Sequence, residues 1–126
     1  MKILVLNPNT SEIVTQKVAG VIHQIARPDT EVVVKSIEHG PESLESFYDE
    51  ALAVPYEIEA IKKANEEGFS AVIIAAFCDP GIEALKEISS IPVFGLEECS
   101  FSVSLLFGNK FGILTEKKHK ESVKSR

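Results

Sequence analysis

Residues 71–77, "AVIIAAF", constrain the fold more than any other stretch of the chain. Successive side chains of an extended strand point to opposite faces, so a run that is apolar throughout needs cover on both sides. That is the pattern of a central strand in a parallel sheet with helices above and below it. Other short aliphatic runs repeat the theme: "KILVLN" at 2–7, "TEVVVKSI" at 30–37, "IPVFGL" at 91–96 and "KFGILT" at 110–115, the last read as a fifth strand. Longer segments with helical spacing separate them. Ile13, Val14, Val18, Val21, Ile22 and Ile25 recur at helical intervals, with Thr10 or Ser11 as N-cap and Arg27-Pro28 as the stop. Residues 47–67 read as a helical stretch in which Pro55 marks a break or a second start. Asp79 reads as the N-cap of the next helix with Pro80 at its first position, and residues 97–108 read as the last helix. The β-α-β alternation predicts an α/β domain with a parallel sheet of four to five strands, helices on both faces and right-handed crossovers.

The expected domain runs over residues 1–115, followed by a basic stretch at 116–126 that reads as a solvated tail or the start of a crossover helix cut short. A length of 126 residues suits one domain with its own core. The formal net charge of −6 argues against a nucleic-acid partner, which would need a clustered excess of Lys and Arg. No apolar run reaches the roughly 18 residues of a membrane span, and the apolar stretch in "MKILVLNPNT" is too short for a signal peptide. A cytoplasmic protein with no membrane partner is the resulting expectation. Its two cysteines, Cys78 and Cys99, are then expected as free thiols.

In an open α/β sheet, ligands bind beyond the carboxyl ends of the strands, near the switch in strand order. The loop after the first strand, "NPNTS", places Asn7, Asn9, Thr10 and Ser11 at a helix start. Free backbone N–H groups there favour an anion, and the side chains add hydrogen bonds for a carboxylate, phosphate or imide. Turn formation and helix capping explain the same residues without a ligand. The segment lacks the glycine pattern of a dinucleotide loop or a P-loop, so no nucleotide is expected.

Cys78 follows the central strand and immediately precedes the expected cap Asp79. A helix N-terminus stabilises a thiolate, which would serve as a base or nucleophile. A small buried core residue is the competing reading, and for Cys99 it is the better one. No Cys/His cluster has metal-ligand spacing, so no metal is expected.

Taken together, "MKILVLNPNTS", "GPESLES" followed by "DEA", "GFSAVIIAAFCDPGIEALKEISSIPVFGLEE" and "KFGILT" resemble the aspartate/glutamate/hydantoin racemase superfamily, in its hydantoin and allantoin racemase branch. The resemblance runs from Met1 to about Thr115. It implies a flavodoxin-like sheet forming one lobe of a two-lobe fold. It also implies cofactor-independent racemisation of a small molecule: one cysteine takes the Cα proton as thiolate while a second returns a proton from the opposite face. Contacts to the enolate and to the carboxylate or imide would fall on Asn9, Thr10 and Ser11, with Ser43 and Glu45 nearby.

The sequence departs from that pattern twice. The family's first cysteine usually stands in Ala-Cys-Phe-x-Asp-Pro-Gly, where this chain has Ala76, and the thiol sits two residues later at Cys78. If both lay on a strand they would point to one side, the thiol displaced along it. The second cysteine belongs to a second lobe, and this sequence resembles only the first. A homodimer or a separate second lobe would have to supply it. A racemase-type enzyme with Cys78 as base is therefore the leading expectation. A non-catalytic lobe that binds small anions or carboxylates, with Asp79 among its contacts, is the alternative. A Cys78/Cys99 redox dithiol is a third reading, without the usual Cys-x-x-Cys spacing.

Overall fold

The computed structural model describes residues 1–114. Its elements alternate as expected: β1 (Lys2–Asn7), α1 (Glu12–Ile25), β2 (Glu31–Ser36), α2 (Phe47–Glu66), β3 (Ala71–Ile74), α3 (Ile82–Ile88), β4 (Val93–Gly95) and α4 (Leu96–Phe107). The strands form one parallel sheet in the order β2-β1-β3-β4. The chain first builds outward from β1 to β2 and then crosses back to β3. The switch in strand order therefore lies between β1 and β3, where a ligand cleft is expected. Backbone pairing reaches the end of both strands, with the Ala75 N–H donating to the Leu6 carbonyl at 2.8 Å.

Leu4, Leu6, Val72 and Ile74 of the two central strands join Ile37, Ala53, Ile61, Phe69, Leu85 and Val93 in one core. Val5 and Leu6 are adjacent on β1 and both are buried, so this strand is covered on both faces. Burying each large aliphatic side chain contributes about 1.5–3 kcal/mol. The buried stripe of α2 consists of Ala53, Glu57, Ile61 and Ala64, a helical spacing with a carboxylate set into it.

Several local expectations are corrected. β3 ends at Ile74, because Ala76–Cys78 turns: the Asp79 N–H returns to the Ala76 carbonyl at 3.1 Å. Ala76 and Cys78 consequently belong to a tight turn, and strand alternation does not place them on one side. α2 is one 20-residue helix through Pro55, whose missing N–H removes a single ladder bond without ending the helix. Asp79 does not cap α3; that helix starts at Ile82 behind Gly81, which has φ 63°.

Residues 110–114 do not join the sheet as a fifth strand. β4 offers only three residues before Leu96 enters α4, and Phe111 instead lies against Phe101 of that helix, ring centroids 5.3 Å apart. Thr115 and the 116–126 tail lie outside the described residues. No helix among the described residues is long and apolar enough to cross a membrane.

Candidate active site

The β1–α1 loop is built around Asn7, which is completely buried. Its Nδ2 donates to Asn9 Oδ1 at 2.8 Å and to Thr15 Oγ1 at 3.0 Å. Asn9 Oδ1 also accepts the Ser11 N–H at 2.9 Å, and Thr15 Oγ1 donates to the Ser11 carbonyl at 3.0 Å. Asn7, Asn9, Ser11 and Thr15 thus form one network that fixes the loop. Ser11 caps α1, its hydroxyl accepting the Val14 N–H at 3.4 Å. The Thr10 N–H donates to the Pro41 carbonyl at 3.0 Å, which ties this loop to the next one.

That next loop joins β2 to α2. Ser43 donates to Glu45 Oε1 at 3.1 Å, and the Glu45 N–H donates to Asp49 Oδ2 at 3.0 Å. Ser46 and Asp49 close the helix start reciprocally: the Asp49 N–H reaches Ser46 Oγ at 3.2 Å and the Ser46 hydroxyl donates to Asp49 Oδ2 at 2.8 Å. An open groove between the loops is lined by Ser11, Val14, Pro41, Ser43, Glu45 and Leu52, among others. Ser11, Ser43 and Glu45 therefore share one surface, mixed in polarity and suited to a small polar molecule. Asn7 and Asn9 are spent on holding it. Among the described residues, Asn7 Oδ1 is a buried acceptor with no hydrogen-bond partner.

The turn after β3 carries Cys78 and Asp79. It leaves the sheet beside the end of β1, because Leu6 pairs with Ile74. Cys78 is half-buried and forms no disulfide. Asp79 takes the left-handed conformation at φ 44°, which Asp tolerates better than most residues. From there its carboxylate reaches the start of α4, accepting the Glu97 N–H at 3.1 Å and the Glu98 N–H at 2.8 Å. Gly95, the N-cap residue of α4, has no side chain with which to cap. Asp79 supplies that cap from another loop, and the Glu98 carboxylate returns to the Gly95 N–H at 3.0 Å. Glu98 is raised by burial and lowered more by Lys86 and the Gly95 N–H, so its carboxyl titrates below the ordinary value.

Two consequences follow for Cys78. The helix end that the sequence expected to support its thiolate starts two residues later than expected, at a seven-residue helix. The nearby N-terminus of α4 is already occupied by Asp79, which neutralises its partial positive charge.

Glu57 escaped the sequence reading. It is 0% exposed, and neither carboxyl oxygen has a hydrogen-bond partner among the described residues. Burial first, then the Asp79 and Glu50 carboxylates, push it up to about 8, so it is protonated at neutral pH. Its signal in the sequence was a carboxylate four residues after Ala53 and four before Ile61, inside the apolar stripe of a helix.

Cys99 is also half-buried and lines a separate groove with Lys86, Phe94 and Ser102; Cys78 is not part of that lining. Among the described residues, no group of three or more His, Cys, Asp or Glu side chains could hold a metal ion.

Comparison with known proteins gives this geometry a context. The model of a family described as Asp/Glu/hydantoin racemase matches residues 3–126. A hydantoin racemase of Pseudomonas sp. (strain NS671) is 42% identical over 115 residues, covering 91% of this chain and 46% of the relative. A hydantoin racemase of Paenarthrobacter aurescens is 36% identical over 116 residues, covering 91% and 49%. Among solved structures, allantoin racemase from Pseudomonas fluorescens superposes with a TM-score of 0.83 at 30% identity, over 94% of this chain and 50% of that one. Allantoin racemase from Klebsiella pneumoniae gives 0.80 at 33% identity, over 84% and 43%. The chain spans about half the length of the curated relatives it matches.

Proposed function

Because the chain belongs to the Asp/Glu/hydantoin racemase family, we propose that it acts without a cofactor at the Cα of a hydantoin-like or amino-acid-like substrate, by thiol-based proton transfer. The Cys78 thiolate takes the Cα proton, becoming a thiol, and the electron pair moves onto the adjacent carbonyl as an enolate. Reprotonation from the opposite face inverts the centre; reprotonation by Cys78 restores it. A Cα proton beside a carbonyl is weakly acidic, so the reaction needs a base within hydrogen-bond reach and donors at the enolate oxygen.

One observation carries this reading. The groove bearing Ser11, Ser43 and Glu45 lies between the loops after β1 and β2, and the Cys78 turn, which is not part of its lining, leaves β3, the strand that pairs with β1 on the other side at the switch point. Ser11, Thr10 and the fixed Asn7–Asn9 loop receive the carboxylate or imide, and Ser43 and Glu45 close the other side. The second acid comes from a second copy of the chain or from a second lobe. α4 favours such a partner: it has no buried residue, and Val103, Leu105, Leu106 and Phe107 are all exposed.

The deciding experiment is proton–deuterium exchange at Cα of a chiral hydantoin and of L-aspartate in D₂O, for the native chain and Cys78→Ala. Exchange that requires Cys78 and preserves chirality identifies a half-site; exchange with racemisation identifies a complete cleft. Absence of exchange on both substrates rejects the reading.

A second reading is a non-catalytic lobe that binds small carboxylates. The observation in its favour is the occupied N-terminus of α4, whose Glu97 and Glu98 N–H groups are taken by Asp79 and so are not offered to Cys78. Ligand-induced stabilisation that survives Cys78→Ala, without exchange, selects it.

A further inference from the structure

Glu57 lies on the face of α2 that packs toward the β3–α3 connection. Val54, one helical turn before it, touches Gly81 so closely that a Cβ there would meet the Val54 methyl groups at 2.8 and 2.9 Å. Gly81 is two residues beyond Asp79, so the α2 stripe forms the floor under this turn. The charged groups that act on Glu57 are Asp79 from the turn and Glu50 from its own helix. Cys78 is the other titratable group of the turn. A carboxyl that is 0% exposed, with neither oxygen partnered among the described residues, is a costly feature, and Leu or Met would fill the same stripe without it.

We propose that Glu57 is a positioning residue for the Cys78 turn, acting through the Asp79 carboxylate that fastens this turn to α4. While Glu57 holds its proton, it adds no charge beside Asp79, and the two bonds of Asp79 to Glu97 and Glu98 are undisturbed. Loss of that proton sets a second negative charge against Asp79 in a buried place. The relief open to the structure is to loosen the Asp79 cap, and with it the turn and its thiol. The turn thus has a tight form below the Glu57 transition and a loosened form above it. The proposal rests on the functional reading only in taking the Cys78 turn as the reactive one.

Its test uses no catalysis, so failure of the exchange assay leaves it standing. The amide resonances of Glu97 and Glu98 and the Glu57 side-chain carboxyl carbon are followed by NMR from pH 6 to pH 10, in a Cys78→Ser background that removes the neighbouring thiol's titration. The expected result is one shared midpoint at about 8 for all three signals. That movement of the amides is lost in Glu57→Gln, and in Glu57→Met should the Gln variant not fold. A second readout is the alkylation rate of Cys78 in a Cys99→Ser chain: its pH profile should carry an inflection that Glu57→Gln abolishes. Amides that stay flat while Glu57 titrates, or that move identically in the Gln and Met variants, overturn the proposal. So does a Glu57 carbon that titrates in the ordinary carboxylate range.

Discussion

Asp79 caps a helix to which it does not belong: its carboxylate accepts the Glu98 N–H at 2.8 Å across 19 residues of sequence. The bond joins the turn after β3 to the first turn of α4, and so links the Cys78 turn to the far edge of the sheet. Gly95 makes the approach possible, since a Cβ there would collide with the Asp79 carboxylate. Removing the carboxylate leaves two α4 N–H groups without their acceptor. Asp79→Ala should therefore cost about 1–3 kcal/mol, measured as a lower urea midpoint with unchanged m. Gly95→Ala should destabilise as well, and combining the two should cost less than their sum, because each removes the other's partner. Additive losses would separate the residues.

Glu57 should make stability depend on pH in an unusual direction. Its ordinary value is 4.5 and its folded value about 8, so the proton is held more tightly in the folded chain. The stabilising contribution is complete below about 4.5, declines as pH rises, and is gone above about 8. Within that window the slope from this group approaches about 1.4 kcal/mol per pH unit. Glu57→Gln cannot titrate, so its advantage over the native chain should widen from pH 5 to pH 8 and then level off. Parallel stability curves for the two proteins would show that Glu57 titrates normally.

The sheet was legible because it rests on strong and redundant signals. The apolar run at 71–74 lies inside the sheet, although Phe77 at the end of "AVIIAAF" is exposed, and the alternation of short aliphatic runs with helical segments leaves few topologies besides a parallel sheet. The site was legible only as a set of loops. Asp79 looked like a local cap because Asp-Pro before an apolar run ordinarily is one. Nothing within the segment says that the carboxylate will instead meet an N-terminus 18 residues away whose own cap position is glycine. The fifth strand failed for a related reason: "KFGILT" has strand composition, yet whether it pairs depends on how much edge β4 offers, a property of another segment.

The Asn7 network should behave as structure first and binding second. Asn7→Ala removes the donor to Asn9 and Thr15 in a fully buried place and should cost about 1–3 kcal/mol. Ser43→Ala, at the rim of the groove, should change stability by less than about 0.5 kcal/mol while weakening ligand-induced stabilisation. Thermal unfolding with and without a hydantoin separates the two effects. A Ser43→Ala chain with undiminished ligand response would exclude that side of the groove from binding.

The last prediction concerns the thiol's place in the turn. Ala76 gives the carbonyl that closes the turn and Cys78 occupies its third position, so the two side chains leave the backbone from different corners. Proton transfer requires hydrogen-bond reach, and a displacement of even about 1 Å can lower a rate a hundredfold. The family pattern puts its cysteine where this chain has Ala76. Moving the thiol back, as Ala76→Cys with Cys78→Ala, should leave the fold intact, since a small residue replaces a small one at each place. If the groove is the substrate site, Cα exchange should rise above that of the native chain, and Cys78→Ala alone should fall to background. A relocated thiol that exchanges no faster, in a chain that still binds the hydantoin, would mean that Cys78 already stands where this site needs its base. No exchange by the native chain, with exchange appearing in the Ala76→Cys, Cys78→Ala chain, would mean that the turn, with Asp79 drawn onto α4, has carried its own thiol out of reach.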